Sequence, residues 1–272
     1  MINTKFFHMA LFFYVLGTLH YILYLLFQRD LIARVAYGMS VAAFVLHTLT
    51  FLTRILESGY FPITNLYESF SFFAWAILLF FLLYERKYHL KIMGAFVLPM
   101  ALVMMSAATF LQKEIKPLLP ALQSRWLYFH TTFAFLGDAA FVITFAGGVM
   151  YLIQERQLKR KSPGLFYYRL PSLEVLDRLN YHSLTIGFSL LTIGIITGAV
   201  WAEAAWGSYW QWDPKETWSL ITWFIYAALL HTRLTVGWRG RKAAYLAILG
   251  FAAVLFTFLG VNLLLGGLHT YN

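Results

Sequence analysis

Two kinds of residue in this chain can do chemistry, and both gather at one stretch. WGSYWQWDPKETW, residues 206–218, packs four tryptophans, a tyrosine, two acids and a lysine into thirteen positions. Six of the nine tryptophans (Trp201, Trp206, Trp210, Trp212, Trp218 and Trp223) fall within 23 residues. An interfacial aromatic belt accounts for one or two such rings at a helix end, not for six. Trp206, Tyr209, Trp210, Trp212 and Trp218 therefore read as a platform for a large flat apolar ligand. Their faces stack at low entropic cost and each keeps a polar edge. Porphyrin, quinone and sterol all fit that description. Asp213 reads first as a helix N-cap, with Pro214 at the first helical position and Glu216 as the reciprocal partner. Such a cap also holds the preceding loop on the end of a helix.

A pair of imidazoles at the same depth, able to take both axial positions on iron, would single out porphyrin. A lone histidine near a helix end is more often interfacial or hydrogen-bonded than a ligand. His130 opens the fifth apolar span and His269 follows the last, so both lie near the level of the aromatic loop, and that shared depth raises them. His231 lies 17 residues beyond Pro214, about 26 Å along a helix axis. That is near the far boundary of a hydrocarbon core about 30 Å thick, in a different layer. It also sits beside Arg233 and can simply reach for the interface. His20 and His47 lie inside the first two spans at unequal depths, and Asp138 lies two turns into the fifth. Ionisable groups at such positions are functional by default, but these histidines make no axial pair.

The elements that position these residues are membrane helices. The chain has 272 residues, 60% hydrophobic and 12% charged, where soluble domains carry about 25% charged residues. Eight apolar runs, roughly 6–27, 33–53, 69–84, 91–109, 127–153, 182–202, 216–234 and 243–266, predict an all-α polytopic integral membrane bundle of about eight transmembrane helices. We read residues 1–272 as a single membrane domain. Fifteen of the 21 lysines and arginines fall in the loops after spans one, three, five and seven, which are therefore cytoplasmic. Both termini, and the segment 203–218 between spans six and seven, are then external. The longest inner loop, QERQLKRKSPGLFYYRLPSLEVLDR, reads as an orientation anchor and a lipid-headgroup contact; no nucleic-acid role is expected despite a net charge of +9. No signal peptide is expected at the amino end. There is no cysteine, so the chain cannot hold a cofactor through its own thioether or act as a thiol carrier. Gly194 and Gly198 form a GxxxG pair, read as helix packing only.

WGSYWQWDPKETWSLITWFIYAALLHTR at 206–233 closely resembles the WWD domain of haem-handling proteins in cytochrome c maturation. Within that family it is most similar to the CcsA (ResC)-type component of the system II cytochrome c synthase. PITNLYESFSFFAW at 62–75, WLYFHTTFAFLGDAAF at 126–141 and LGGLHTYN at 265–272 carry the same resemblance, which spans most of the chain. The resemblance implies that His130 and His269 are the external axial ligands of haem b, the transferred substrate. It likewise implies that His231 belongs to an inner haem site and that Trp206, Trp210, Trp212 and Asp213 form the core of the motif. Haem would pass from the cytoplasmic side to the outer face and be presented to the Cys-x-x-Cys-His thiols of apocytochrome c. The family's second component, with a large external domain, is not in this chain, so a CcsB/ResB-like membrane partner is expected. Thioredoxin-like thiol reductants of the apocytochrome are a further expected partner. The implied location is a bacterial cytoplasmic or thylakoid-type membrane. Lys215 or Arg125 is a candidate partner for haem propionates; a second inner ligand would come from the partner subunit, with His47 and His20 as the candidates within this chain. Asn65 and Glu68 match the family pattern and also read as a helix-start capping box. The alternatives are a haem exporter without lyase activity, like CcmC of system I, and a b-type electron-transfer cytochrome.

Overall fold

A computed structural model describes residues 2–160 and 164–265. All regular structure among them is helical: α1 (Ile2–Phe27), α2 (Asp30–Ser58), α3 (Leu66–Tyr88), α4 (Gly94–Thr109), α5 (Arg125–Leu158), α6 (Leu165–Arg169), α7 (Leu173–Trp206), α8 (Pro214–Thr235), α9 (Arg241–Leu255) and α10 (Val261–Leu264). A single π-helical turn, Phe256–Gly260, joins α9 to α10. Seven helical segments among the described residues are long and apolar enough to cross a membrane, and the protein is an integral membrane protein. The eighth expected span, α8, has 22 residues, long enough for a crossing at 1.5 Å per residue. It falls short in apolarity because Lys215, Glu216, His231 and Arg233 lie within it. α5 and α7, at 34 residues each, reach about 51 Å and outrun a core about 30 Å thick. The basic connection between the fifth and sixth expected spans is therefore largely helix among its described residues: α5 runs to Leu158 and α7 begins at Leu173.

The chain forms two compact units, Met1–Pro117 and Leu118–Asn272. In the first, α2 offers Ala33, Ala36, Ser40 and Ala43 along one buried face, and Gly17 of α1 lets the two backbones close. A Cβ there would lie 3.0 Å from Ser40 Oγ. The buried ionisable side chains His47, Arg54 and Glu68 of this unit are paired, as groups inside a membrane bundle usually are. His47 is fully buried, with Nδ1 3.0 Å from the Tyr14 hydroxyl and Nε2 2.8 Å from Ser71 Oγ. Arg54 and Glu68, 1% and 0% exposed, make an ion pair at 2.7 Å. Glu68 also accepts from the Thr64 amide and hydroxyl at 2.8 and 2.9 Å, while Asn65 caps α3 by accepting from the Glu68 amide at 2.9 Å. The expected Asn65–Glu68 cap thus forms, and its carboxylate reaches Thr64 and Arg54 rather than the Asn65 amide.

In the second unit α5 packs along α7 through glycines. A Cβ on Gly137 would lie 2.9 Å from the Leu191 amide nitrogen, and one on Gly194 3.0 Å from that of Ala134. Tyr226 of α8 stacks on Phe141 of α5 with ring centroids 3.6 Å apart and planes at 6°. α9 meets α5 where a Cβ on Gly148 would lie 3.2 Å from the Ala244 carbonyl.

Candidate functional site

The site is built at one end of the α5–α7 pair. Ser124 caps α5, accepting from the Trp126 amide at 3.3 Å, and His130 follows in the second turn. Its ring lies over Gly198 of α7, where a Cβ would stand 2.6 Å from Nδ1 and 2.7 Å from Cε1. Nδ1 is 2.8 Å from the Gly194 carbonyl oxygen. A carbonyl only accepts, so Nδ1 carries the hydrogen, and in the neutral form of the ring the lone pair is on Nε2. This is the arrangement that orients a metal-binding imidazole: the second nitrogen is tied to a backbone carbonyl, which sets tautomer and ring plane. Trp201 completes the seat, stacked against His130 with centroids 5.8 Å apart and planes at 15°. The Trp201 indole donates to the Ala121 carbonyl at 3.0 Å.

α7 ends at Trp206, whose ring meets Trp201 edge-on at 4.8 Å. Gly207 closes the helix in the left-handed region at φ 73°, its amide donating to the Glu203 carbonyl at 2.9 Å. Tyr209 and Trp212 are 60% and 69% exposed; Trp210 and Trp212 pack edge to face at 5.7 Å. Trp212 stands at φ +56°, a conformation that costs a non-glycine residue about 1–2 kcal/mol. The start of α8 holds it there. Glu216 accepts from the Gln211 and Asp213 amides at 2.9 and 3.2 Å, Asp213 accepts from the Lys215 amide at 2.9 Å, and Thr217 donates to the Trp212 carbonyl at 3.3 Å. The expected Asp213–Glu216 capping box is therefore present, both acids buried. Strain held by an over-determined local frame is common where a ligand is clamped.

The remaining expected residues spread out from this frame. Trp218 packs on Phe256, the first residue of the π turn, at 4.2 Å. Lys215 Nζ donates to Asn262 Oδ1 at 3.2 Å, tying α8 to the element beyond that turn. His231 is exposed, and α8 carries it about 26 Å from Pro214 along the axis. His269 lies outside the described residues. His47 engages both ring nitrogens as described, so it can bind a metal only by giving up a hydrogen bond, and His20 Nδ1 is 2.7 Å from the Leu16 carbonyl. Among the described residues no group of three or more His, Asp or Glu forms a metal cage, whereas axial ligation of a macrocycle needs only two imidazoles. Sequence reasoning missed Gly194, Gly198 and Trp201 as parts of this site. Gly194 and Gly198 are more than helix packing: Gly198 leaves room for the His130 ring and the Gly194 carbonyl accepts its hydrogen bond. Their four-residue spacing was visible, but nothing in it said that a histidine from another helix fills the gap.

A family model described as cytochrome C assembly protein matches residues 63–269. A cytochrome c biogenesis protein CcsA of Guillardia theta is 42% identical over 257 residues, covering 88% of this chain and 85% of its own. A protein of that name from Chlamydomonas reinhardtii is 44% identical over 248 residues, covering 89% of this chain and 68% of its own. Among solved structures, the cytochrome c haem lyase CcmF superposes with a TM-score of 0.71 at 23% identity. That match takes in 94% of this chain and 46% of the other, so it shows a shared fold over less than half of the larger protein.

Proposed function

The chain belongs to the cytochrome c assembly protein family, and from that premise we propose that it is the haem-handling subunit of a system II cytochrome c synthase. Haem b is its substrate, received at an inner site that uses His231 and held at the outer face by the imidazoles of His130 and His269. The observation that carries this reading is the seat of His130: a donor bond to Gly194 and a stack on Trp201 leave Nε2 as the basic nitrogen of a ring already aimed and immobilised. Axial imidazole ligation tunes the potential and accessibility of haem iron. Trp206, Tyr209, Trp210 and Trp212 supply the apolar faces for the macrocycle. Asp213 and Glu216 fix the loop that bears those rings, and Trp218 anchors α8 behind it.

The coupling this presents for is an addition. Each apocytochrome cysteine S–H adds across a haem vinyl group; sulfur bonds one carbon, hydrogen ends on the other, and no group leaves. The chain has no cysteine, so both thiols come from the apocytochrome, kept reduced by thioredoxin-like partners. A CcsB/ResB-like membrane subunit completes the synthase. The distribution of basic residues puts segment 203–218 and both termini on the outer side.

The test is to co-express the chain with such a partner and an apocytochrome c, then record haem spectra and holocytochrome yield. His130→Gly and His269→Gly should each abolish holocytochrome, and added imidazole should restore it. His231→Gly should empty the outer site too, because supply precedes presentation. Full haem occupancy and yield in both outer variants would sink the ligand assignment. Haem bound normally with no thioether formed by any combination would mark the chain as a carrier alone.

A further inference from the structure

At the opposite end of the α5–α9 pair lies a cleft of about 390 Å³ lined by Leu152, Ile153, Glu155, Arg156, Lys159, Arg241 and Tyr245. Gly148 and Ala244 bring the two helices close, and Leu152 and Arg156 of α5 and Arg241 and Tyr245 of α9 line the cleft beyond them. The lining is graded. Leu152 and Ile153 are apolar, and seven residues on, about 10 Å along the axis, Lys159 closes a basic rim.

The charge count is unbalanced. Three cations face one carboxylate: Glu155 pairs with Lys159 at 2.7 Å and with Arg241 at 3.8 Å. Arg241 also donates to the Tyr245 hydroxyl at 3.2 Å. The neighbouring acid Asp177 is committed to Arg233, with Nη1 on Oδ1 at 2.9 Å, and to the Gly240 amide at 3.0 Å. It does not neutralise the cleft. We propose that this cleft binds one anionic phospholipid, its phosphate held by Arg156, Lys159 and Arg241 and an acyl chain lying on Leu152 and Ile153. Basic pockets between membrane helices at the headgroup level take anionic lipid in this way. The apolar floor distinguishes the site from a scattered basic surface, since an anion alone has no use for it.

The experiment uses the full chain in mild detergent, with phosphatidylglycerol, phosphatidylcholine or inorganic phosphate added. Lipid retention is read by native mass spectrometry and stabilisation by thermal midpoint. The chain should retain one phosphatidylglycerol in preference to phosphatidylcholine. Arg156→Gln or Arg241→Gln should each weaken it about fivefold, and the double variant about 25-fold. Arg156→Lys should stay within about twofold of the unaltered chain, because the charge is kept. Leu152→Ser should weaken phosphatidylglycerol while leaving any effect of inorganic phosphate unchanged. A native helical signal and a single elution peak exclude misfolding. Equal retention of the two lipids, or an unchanged double variant, overturns the proposal. So does stabilisation by phosphate alone with no added gain from phosphatidylglycerol, which assigns the cleft to a free oxyanion.

Discussion

Gly198→Ala tests the seat of His130 with one added carbon. The new Cβ would stand 2.6 Å from Nδ1 and 2.7 Å from Cε1, so the ring must retreat by about 0.8 Å to reach ordinary contact. Along the Nδ1–H···O direction that stretches a bond of 2.8 Å beyond hydrogen-bonding range. The loss is about 1 kcal/mol for the bond, with overpacking adding about 1–3 kcal/mol. The functional cost is larger, since a misplacement of about 1 Å in a reacting geometry can lower a rate about a hundredfold. We expect Gly198→Ala to cut holocytochrome yield nearly as deeply as His130→Gly, in a protein that still folds and inserts. The decisive assay is the double variant. In a His130→Gly background the clash partner is gone, and replacing a mid-helix glycine by alanine should raise stability by about 0.5–1 kcal/mol. The cycle is read by thermal midpoint and by imidazole-rescued yield. If Gly198→Ala harms the His130→Gly protein as much as the parent, the glycine serves helix packing alone and the seat argument fails.

Trp212→Gly removes a ring and relieves a left-handed residue, so the thermal midpoint should hold or rise, by about 1 kcal/mol of stability, while haem retention falls. A fall in both would mean the indole is structural. Asp213→Ala should cost about 1 kcal/mol through the lost cap, whereas Asp213→Asn keeps a capping oxygen and should stay near the parent in stability. A haem defect in Asp213→Asn at unchanged midpoint would show that the charge itself acts on the ligand. In the first unit, Glu68→Gln or Arg54→Met alone should cost about 3–5 kcal/mol by leaving a buried charge without its partner. The Arg54→Met/Glu68→Leu double variant should be less damaging than either, measured by denaturant unfolding; equal or greater damage would refute the desolvation argument.

Much of this protein was legible in the chain because membrane insertion and helix capping are local. A run of apolar residues long enough to cross the core becomes a helix whatever surrounds it, since its backbone must bond to itself. Asp213, Pro214 and Glu216 specify a helix start within four positions, and the structure forms that box. Asn65 likewise starts α3 at 66, three residues before the apolar run suggested. Charged loops misled the boundaries: α5 and α7 continue several turns into the basic connection, because lysine, arginine and glutamate are good helix formers outside the membrane.

Only the tertiary structure decided what His130 rests on. Residue 130 meets residues 194, 198 and 201 across a helix interface, and no local pattern encodes which residue fills the space a glycine leaves. The left-handed turn at Trp212 is of the same kind, since an indole gives no sign of it and the Glu216 hydrogen bonds impose it. Composition and spacing determined that the chain crosses a membrane, where α8 starts and which rings gather before it. The fold alone chose the tautomer, the plane and the neighbours of the imidazole, because those depend on contacts between residues more than sixty positions apart.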